Sequence, residues 1–237
     1  MENKIIIGNM KMNLTLDEVK EYIVKLKDYK KFIICPSYIY IPYFINAGYQ
    51  VGVQDISEYG IGSYTGEVSV NQIVSMGVNY AIVGHSERRE KIKEDDELIN
   101  KKLRMAISNN VNAILCIGET NEEKIKGYTK SKIEEQLDLD LQNLDEENYN
   151  NIIIAYEPVW AIGTGKIPSN EEIIDMVSFI KNIVYNKYGF IPKVLYGGST
   201  NEINILELNK IDILDGFLIG GACLEPDKFI KIIETIN

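Results

Sequence analysis

Histidine, tryptophan and cysteine are scarce in this chain: 237 residues include one of the first, one of the second and three of the third. A lone imidazole, His85, and cysteines as far apart as Cys35, Cys116 and Cys223 leave no ligand set at zinc spacing, so no metal is expected. An odd number of cysteines, each in or beside an apolar segment, argues for buried reduced thiols rather than a disulfide framework. Long apolar runs are missing too. No stretch approaches the roughly 18 uncharged apolar residues of a membrane span. The opening MENKIIIGNMKMN lacks a charged-then-apolar leader, so a cytoplasmic protein with no membrane partner is expected. Basic residues are outnumbered, 25 Lys and Arg against 35 Asp and Glu, and a net charge of −10 argues against a nucleic-acid surface. It does not exclude a small anion. Charges beyond about 8 Å are largely screened, whereas one lysine at about 4 Å from a phosphate is worth about 4 kcal/mol at an effective dielectric of 20. No Pro/Gly/Ser-rich linker interrupts the chain, so residues 1–237 are expected to form one domain.

What is present is a repeated alternation. Eight short runs rich in Ile and Val occur at Lys4–Gly8, Phe32–Cys35, Tyr49–Gln54, Tyr80–Val83, Ala113–Ile117, Ile152–Tyr156, Lys193–Tyr196 and Gly216–Ile219. They are nearly continuous in apolar character, the pattern of parallel strands covered on both faces. Between them lie stripes at helical spacing: Val19, Tyr22, Ile23 and Leu26; Ile133, Leu137, Leu141 and Leu144; Ile173, Val177, Ile180 and Val184. Thr15 with Glu18, Ser169 with Glu172 and Ser199 with Glu202 each fit a capping box at a helix start. A strand about every 30 residues, alternating with helix, fits either a closed (β/α)8 barrel or an open doubly wound sheet. Eight strands without a dinucleotide fingerprint favour the α/β barrel.

In such a barrel the chemistry sits at the carboxyl ends of the strands. Asn9 and Lys11 follow the first strand, and Lys11 reads either as a solvated surface charge or as an anion ligand. After the fourth strand comes GHSERRE with His85, which is structural or catalytic; the helical pattern that follows would place backbone N–H groups at its start and favour an uncharged ring. After the sixth comes Glu157, a carboxylate against an apolar run, which is costly unless paired or used. A strand-end salt bridge is the alternative. The GTGK stretch, Gly163–Lys166, imitates a phosphate loop, but Trp160 occupies the first glycine position and Ile167 follows the lysine, so no nucleotide motif survives. Glycine pairs after strands 7 and 8, Gly197-Gly198 before Ser199 and Gly220-Gly221, are read as a phosphate cradle in preference to plain turns. The longest irregular segment, residues 57–70, carries Tyr59, Ile61, Tyr64 and Val68, too apolar for a disordered loop, and reads as an ordered interface.

With these residues placed, the chain resembles the triosephosphate isomerase family over essentially its whole length. The resemblance rests on GNMKMN (8–13), TGEVS (65–69), VGHSERR (83–89), CIGET (116–120), YEPVWAIGTGK (156–166), YGGS (196–199) and IGGACL (219–224). It implies interconversion of dihydroxyacetone phosphate and D-glyceraldehyde 3-phosphate through an enediolate, in glycolysis and gluconeogenesis, without a cofactor. By that resemblance Glu157 is the base, His85 the uncharged hydrogen-bond donor to the enediolate oxygens, and Lys11, aided by Asn9, the stabiliser of negative charge. This family is itself the reference case for pairing a glutamate base with an uncharged imidazole. Glu87 would orient Lys11, and Ser86 would hold Glu157 while a lid over residues 158–168 is open. The lid's ends, Pro158–Trp160 and Lys166–Pro168, are expected to be stiff, with residues 161–165 as its tip. Phosphate would rest on the N–H groups of Gly163, Ser199, Gly220 and Gly221. The resemblance further implies a homodimer, in which Thr65 of loop 57–70 approaches Asn9 and Lys11 of a second copy. Three positions depart from the family pattern: Asp55 stands where Asn is usual, Val70 where Pro is common, and CPSY where a second Pro is frequent. A rival reading, a phosphate-binding barrel acting on phosphoribosyl or indole substrates, would share the cradle but lack EPVWAIGTGK.

Overall fold

The computed structural model describes residues 4–163 and 167–237. Its eight strands are β1 (Ile5–Asn9), β2 (Ile33–Cys35), β3 (Gln50–Val51), β4 (Tyr80–Val83), β5 (Asn112–Ile117), β6 (Ile152–Tyr156), β7 (Lys193–Tyr196) and β8 (Gly216–Ile219). All pair in parallel, in the order β3-β2-β1-β8-β7-β6-β5-β4. A bridge from Val53 to Ala81 joins the two ends of this order, with the Val53 N–H on the Tyr80 carbonyl and the Ile82 N–H on the Val53 carbonyl, both at 2.9 Å. The sheet thereby becomes a nearly closed barrel, and the open-sheet alternative falls away. The third strand is shorter than its apolar run, because beyond Val51 the chain keeps only isolated bonds: Gly52 to Ile34 and then the bridge.

The helices are α1 (Leu16–Lys25), α2 (Ile41–Asn46), α3 (Val70–Ser75), α4 (Asp96–Ile107), α5 (Asn121–Ile125), α6 (Thr129–Asp140), α7 (Asn170–Tyr188), α8 (Ile205–Leu208) and α9 (Pro226–Ile236). The predicted stripes face inward: Val19 and Leu26, Ile133 and Leu137, and all four of Ile173, Val177, Ile180 and Val184 are buried. Leu141 and Leu144 continue the second stripe past the end of α6 and are buried with it. Two of the three expected caps form, with the Glu18 carboxylate on the Thr15 N–H and Glu172 on the Ser169 N–H, each at 2.7 Å. The third does not. No helix begins at Ser199; its hydroxyl donates to the Ala161 carbonyl at 2.5 Å, and the next turn is closed instead by Asn201 and Asn204. A short S-x-x-E pattern is a local signal, and here a tertiary partner claims the hydroxyl.

Apolar side chains fill two layers. Alternate strand residues such as Ile7, Ile82, Ile114, Leu195 and Leu218 pack inside the barrel, and their neighbours pack outward against the helices. Burial on both faces is why the strands are apolar without alternation. Truncating one inward residue such as Leu195 to Ala would cost about 2–5 kcal/mol. All three cysteines are buried and unbridged.

The segment expected as an ordered loop ends one residue early, since Ser69 caps α3 through Gln72 and Val70 is already helical. Its base is tied by the Ser57 N–H on the Val68 carbonyl, and the Tyr59 and Tyr64 rings stack with centroids 4.1 Å apart. Ile61 at its tip is 81% exposed.

Candidate active site

The exits of β1, β4, β6, β7 and β8 share one end of the barrel because every strand runs the same way. Asn9 closes β1, and its Oδ1 accepts the Lys11 N–H at 3.0 Å. Lys11 itself lies in the left-handed region, φ 52°, a conformation that costs a non-glycine residue about 1–3 kcal/mol. Neighbours over-determine it: the Lys11 carbonyl accepts from Gln54 Nε2 at 2.7 Å and from the Ser37 hydroxyl at 3.3 Å. The lysine stem turns back towards the barrel mouth, and Nζ meets Glu87 Oε1 at 2.8 Å. Glu87 is thus in direct contact with Lys11, the residue it was expected to orient.

His85 follows β4 and opens a short helical stretch, its carbonyl accepting the N–H groups of Arg88 and Arg89. Its Nδ1 accepts the Glu87 N–H at 3.2 Å, and its Nε2 lies 3.1 Å from Glu157 Oε1. Glu157 is almost wholly buried, 2% exposed. Its backbone N–H donates to the Ile117 carbonyl at 2.8 Å, and its Oε2 accepts the Ser86 N–H at 3.1 Å. Ser86 therefore holds the carboxylate through its backbone.

The electrostatics of this pair are mutual. Burial lifts the Glu157 carboxyl, but the charge and hydrogen bond of His85, the Ser86 N–H and Lys11 more than offset that and hold it below the ordinary glutamate value. For His85, burial disfavours the charged ring and Glu157 favours it, and the net direction is upward. That direction is opposite to the lowering expected from backbone N–H groups at a helix start, and its cause is the contact with Glu157. The Glu87 N–H works the other way, because Nδ1 has a lone pair to accept it only when that nitrogen carries no proton. The contact with Glu157 is the main upward influence, and a carboxylate that turns to another partner removes that influence.

Around these three groups lies a cavity of about 360 Å³ lined by Asn9, Lys11, His85, Glu157, Gly163, Ser199, Gly220 and Gly221. Of the residues given a site role from the sequence, Glu87 and Ser86 do not border it. Glu87 instead lines an adjoining cavity of about 390 Å³, shared with Lys11 and His85. The N–H groups of Ser199, Gly220 and Gly221 donate to no acceptor among the described residues, so the carboxyl-end rim offers unpaired amides beside an ammonium group. A side chain at Gly220 would stand 3.2 Å from Lys11 Cε, which is why that position leaves room for the lysine.

Three features escaped the sequence reading. Gly118 and Gly197 bracket Glu157: a Cβ on the first would lie 1.7 Å from the Glu157 carbonyl oxygen, and one on the second 2.8 Å from its Cγ. Gln54 supports Lys11, as described. Glu119, at the exit of β5, accepts the Trp160 indole N–H at 2.7 Å and the Tyr156 hydroxyl at 3.1 Å. Its position at a strand exit was the available signal. Trp160 also carries the Lys124 ammonium 3.3 Å above its ring, so the first end of the expected lid is packed in place. Thr164, Gly165 and Lys166, expected in the lid tip and its second end, lie outside the described residues.

Fold and rim together define a (β/α)8-barrel protein of the acid–base, anion-binding class. A family model described as triosephosphate isomerase matches residues 4–236. Triosephosphate isomerase of Clostridium tetani is 39% identical over 99% of this chain and 97% of its own length. The enzymes of that name from Finegoldia magna and Clostridium botulinum (strain Loch Maree) are 37% and 36% identical over 99% of this chain and at least 99% of theirs. The chain belongs to the triosephosphate isomerase family.

Proposed function

We propose that this chain interconverts dihydroxyacetone phosphate and D-glyceraldehyde 3-phosphate by proton transfer through an enediolate, in glycolysis and gluconeogenesis. The observation that carries the proposal is the convergence of Glu157, His85 and Lys11 on one cavity that also receives three unpaired backbone N–H groups.

The phosphate dianion rests on the N–H groups of Ser199, Gly220 and Gly221, with that of Gly163 completing the cradle, and the Lys11 ammonium lies between phosphate and the reacting carbons. Glu157 releases His85 and the Ser86 N–H, removes a proton from one carbon beside the carbonyl and returns it to the next. His85, relieved of the carboxylate and uncharged, donates from Nε2 to the enediolate oxygens. Asn9 adds a side-chain donor at the same rim. Glu87 keeps Lys11 aimed, through the 2.8 Å contact. Closing of residues 158–168 over the cavity excludes water, strengthens these electrostatic terms and hinders loss of phosphate from the intermediate. No cofactor enters any step.

The chain is further read as one domain, as cytoplasmic and as a homodimer. Met12 (94% exposed) and Ile92 border the 390 Å³ cavity, and the loop tip around Thr65 of a second copy is the segment proposed to fill it. Sedimentation showing full activity in a 26.9 kDa species would remove the dimer. The isomerase reading is tested by incubating purified protein with glyceraldehyde 3-phosphate and following dihydroxyacetone phosphate with a coupled dehydrogenase. Turnover well above buffer is expected, and none overturns it.

A further inference from the structure

Helix α6 turns two buried polar side chains, Gln136 and Asp140, towards the barrel four residues apart on an otherwise apolar face. Burying such groups is costly unless they are hydrogen-bonded, and both are bonded to the same region. Gln136 Oε1 accepts the Gly118 N–H at 2.9 Å. Asp140 is fully buried; its Oδ2 meets Arg89 Nη2 at 2.6 Å, and its Oδ1 has no partner among the described residues. Arg89 directs its other donors largely at backbone: Nε to the Gly84 carbonyl at 2.8 Å and Nη2 also to the Cys116 carbonyl at 3.2 Å, with Asp96 on Nη1. The Arg89 backbone N–H meets the His85 carbonyl at 3.1 Å.

These bonds converge on the seat of Glu157. Gly84 and Cys116 stand at the exits of β4 and β5. Two residues beyond Gly84, the Ser86 N–H holds the Glu157 carboxylate, and one residue beyond Cys116, the Ile117 carbonyl holds its backbone. Gly118 backs Glu157 so closely that no side chain fits there. A second cavity of about 270 Å³, which Asn9, Lys11 and His85 do not border, is lined by Arg89, Cys116, Gly118, Gln136 and Glu157. The bonds that hold Glu157 here are polar and come from the two strand exits, the Ser86 N–H on its carboxylate and the Ile117 carbonyl on its backbone N–H. Neither Gln136 nor Asp140 borders the 360 Å³ cavity.

We propose that Asp140, acting through Arg89, and Gln136, acting through Gly118, are positioning residues for the Glu157 base, which together fix the exits of β4 and β5, the two strands that follow β6 on one side of the barrel and that hold its carboxylate and its backbone. The inference rests on Glu157 being the base of the proposed isomerisation. Its consequence is specific to the chemical step: a misplacement of about 1 Å costs a reaction about 10²-fold, whereas phosphate binding depends on the cradle at β7 and β8.

The test is steady-state kinetics of Asp140→Ala, Asp140→Asn and Gln136→Met, with kcat expressed per folded protein from the stoichiometry of phosphoglycolate binding. Asp138→Asn, an exposed change on the same helix where Asp138 pairs with Lys187, is the control. Asp140→Ala is expected to lower kcat about tenfold, part of the 10²-fold that a full displacement would cost, with KM within about twofold. Asp140→Asn, which can still accept from Arg89, restores part of the loss, and Gln136→Met lowers kcat in the same way. Should Asp140→Ala fail to fold, Gln136→Met carries the test alone. Wild-type kcat in the folded variants, or a loss that appears only as fewer folded molecules, overturns the inference. An unmodified protein with no isomerase activity overturns the function beneath it, and the inference with it.

Discussion

Two clusters of charge meet at the loop after β4, each with members drawn from other parts of the chain. One is His85, Glu87, Lys11 and Glu157. The other is Arg88 and Glu94 with Asp55 and Lys102, in which Lys102 Nζ lies 2.7 Å from Asp55 and 2.5 Å from Glu94, and Arg88 lies 2.9 Å and 2.7 Å from the same pair. Each has carboxylates matched by cations, and each contains shifted groups: His85, Glu87 and Glu157 in the first, Asp55, Glu94 and Arg88 in the second. Perturbed ionisable groups alone therefore do not mark a reactive site. What separates the clusters is access and completeness. The first opens on a cavity large enough for a small phosphorylated sugar and is joined there by unpaired N–H groups. The second is paired within itself, its cations consumed by its own carboxylates, with only Arg88 and Glu94 bordering neighbouring cavities. In the first, the Glu157 contact at 3.1 Å is one that a substrate can replace. The second ties the exit of β3 to α4 and gains nothing by coming apart.

The comparison is broken most directly at Glu157. Glu157→Gln keeps an acceptor for the Ser86 N–H but removes the base, so kcat is expected to fall about 10³-fold, or about 4 kcal/mol in the barrier, with KM little changed. Steady-state kinetics check this, and near-normal turnover would move the base elsewhere. In the second cluster the reverse is expected. Lys102→Met leaves two buried carboxylates short of a partner and should cost about 3–5 kcal/mol of stability, seen in the denaturant midpoint, while kcat per folded molecule stays within about twofold. A large loss of kcat per folded molecule would show that the clusters are not separate.

The smallest effect sharpens the contrast through pH. Burial, opposed by Lys102, raises Asp55 from 3.8 to about 6. The folded protein thus holds this proton more tightly than the unfolded chain does. The stability so gained is complete below about pH 4 and is lost as pH rises through about 6. An asparagine at 55 does not titrate. Between pH 4 and pH 7 the wild type should therefore lose up to about 3 kcal/mol relative to Asp55→Asn, read as a widening difference in thermal midpoint. A difference independent of pH would place Asp55 at an ordinary carboxyl value.

Much of this was legible beforehand, for reasons that differ by residue. The eight strands were visible because barrel strands are buried on both faces and lose their alternation. The site residues were visible because a polar group at a strand exit is an exception with a cost. Less visible were the groups whose role depends on what the chain brings near. Gly197 reads as part of a phosphate cradle, and Gly118 as no more than one letter of CIGET, until Glu157 is placed between them. Asp140 reads as one more acid on a helix surface until Arg89, 51 residues earlier, is found against it. The Ser199 box was misread because a four-residue pattern carries no knowledge of Ala161.

By itself, the sequence determined the succession of apolar strands and amphipathic helices, and with it which residues stand at strand exits, since hydrophobic periodicity and local chain chemistry are properties of neighbours along the chain. Only the tertiary structure decided which of those exits touch. Closing eight parallel strands into a ring sets Asn9, His85, Glu157, Ser199 and Gly220 around one opening, and the meeting of groups that far apart in the chain is fixed by barrel geometry, which no local stretch encodes.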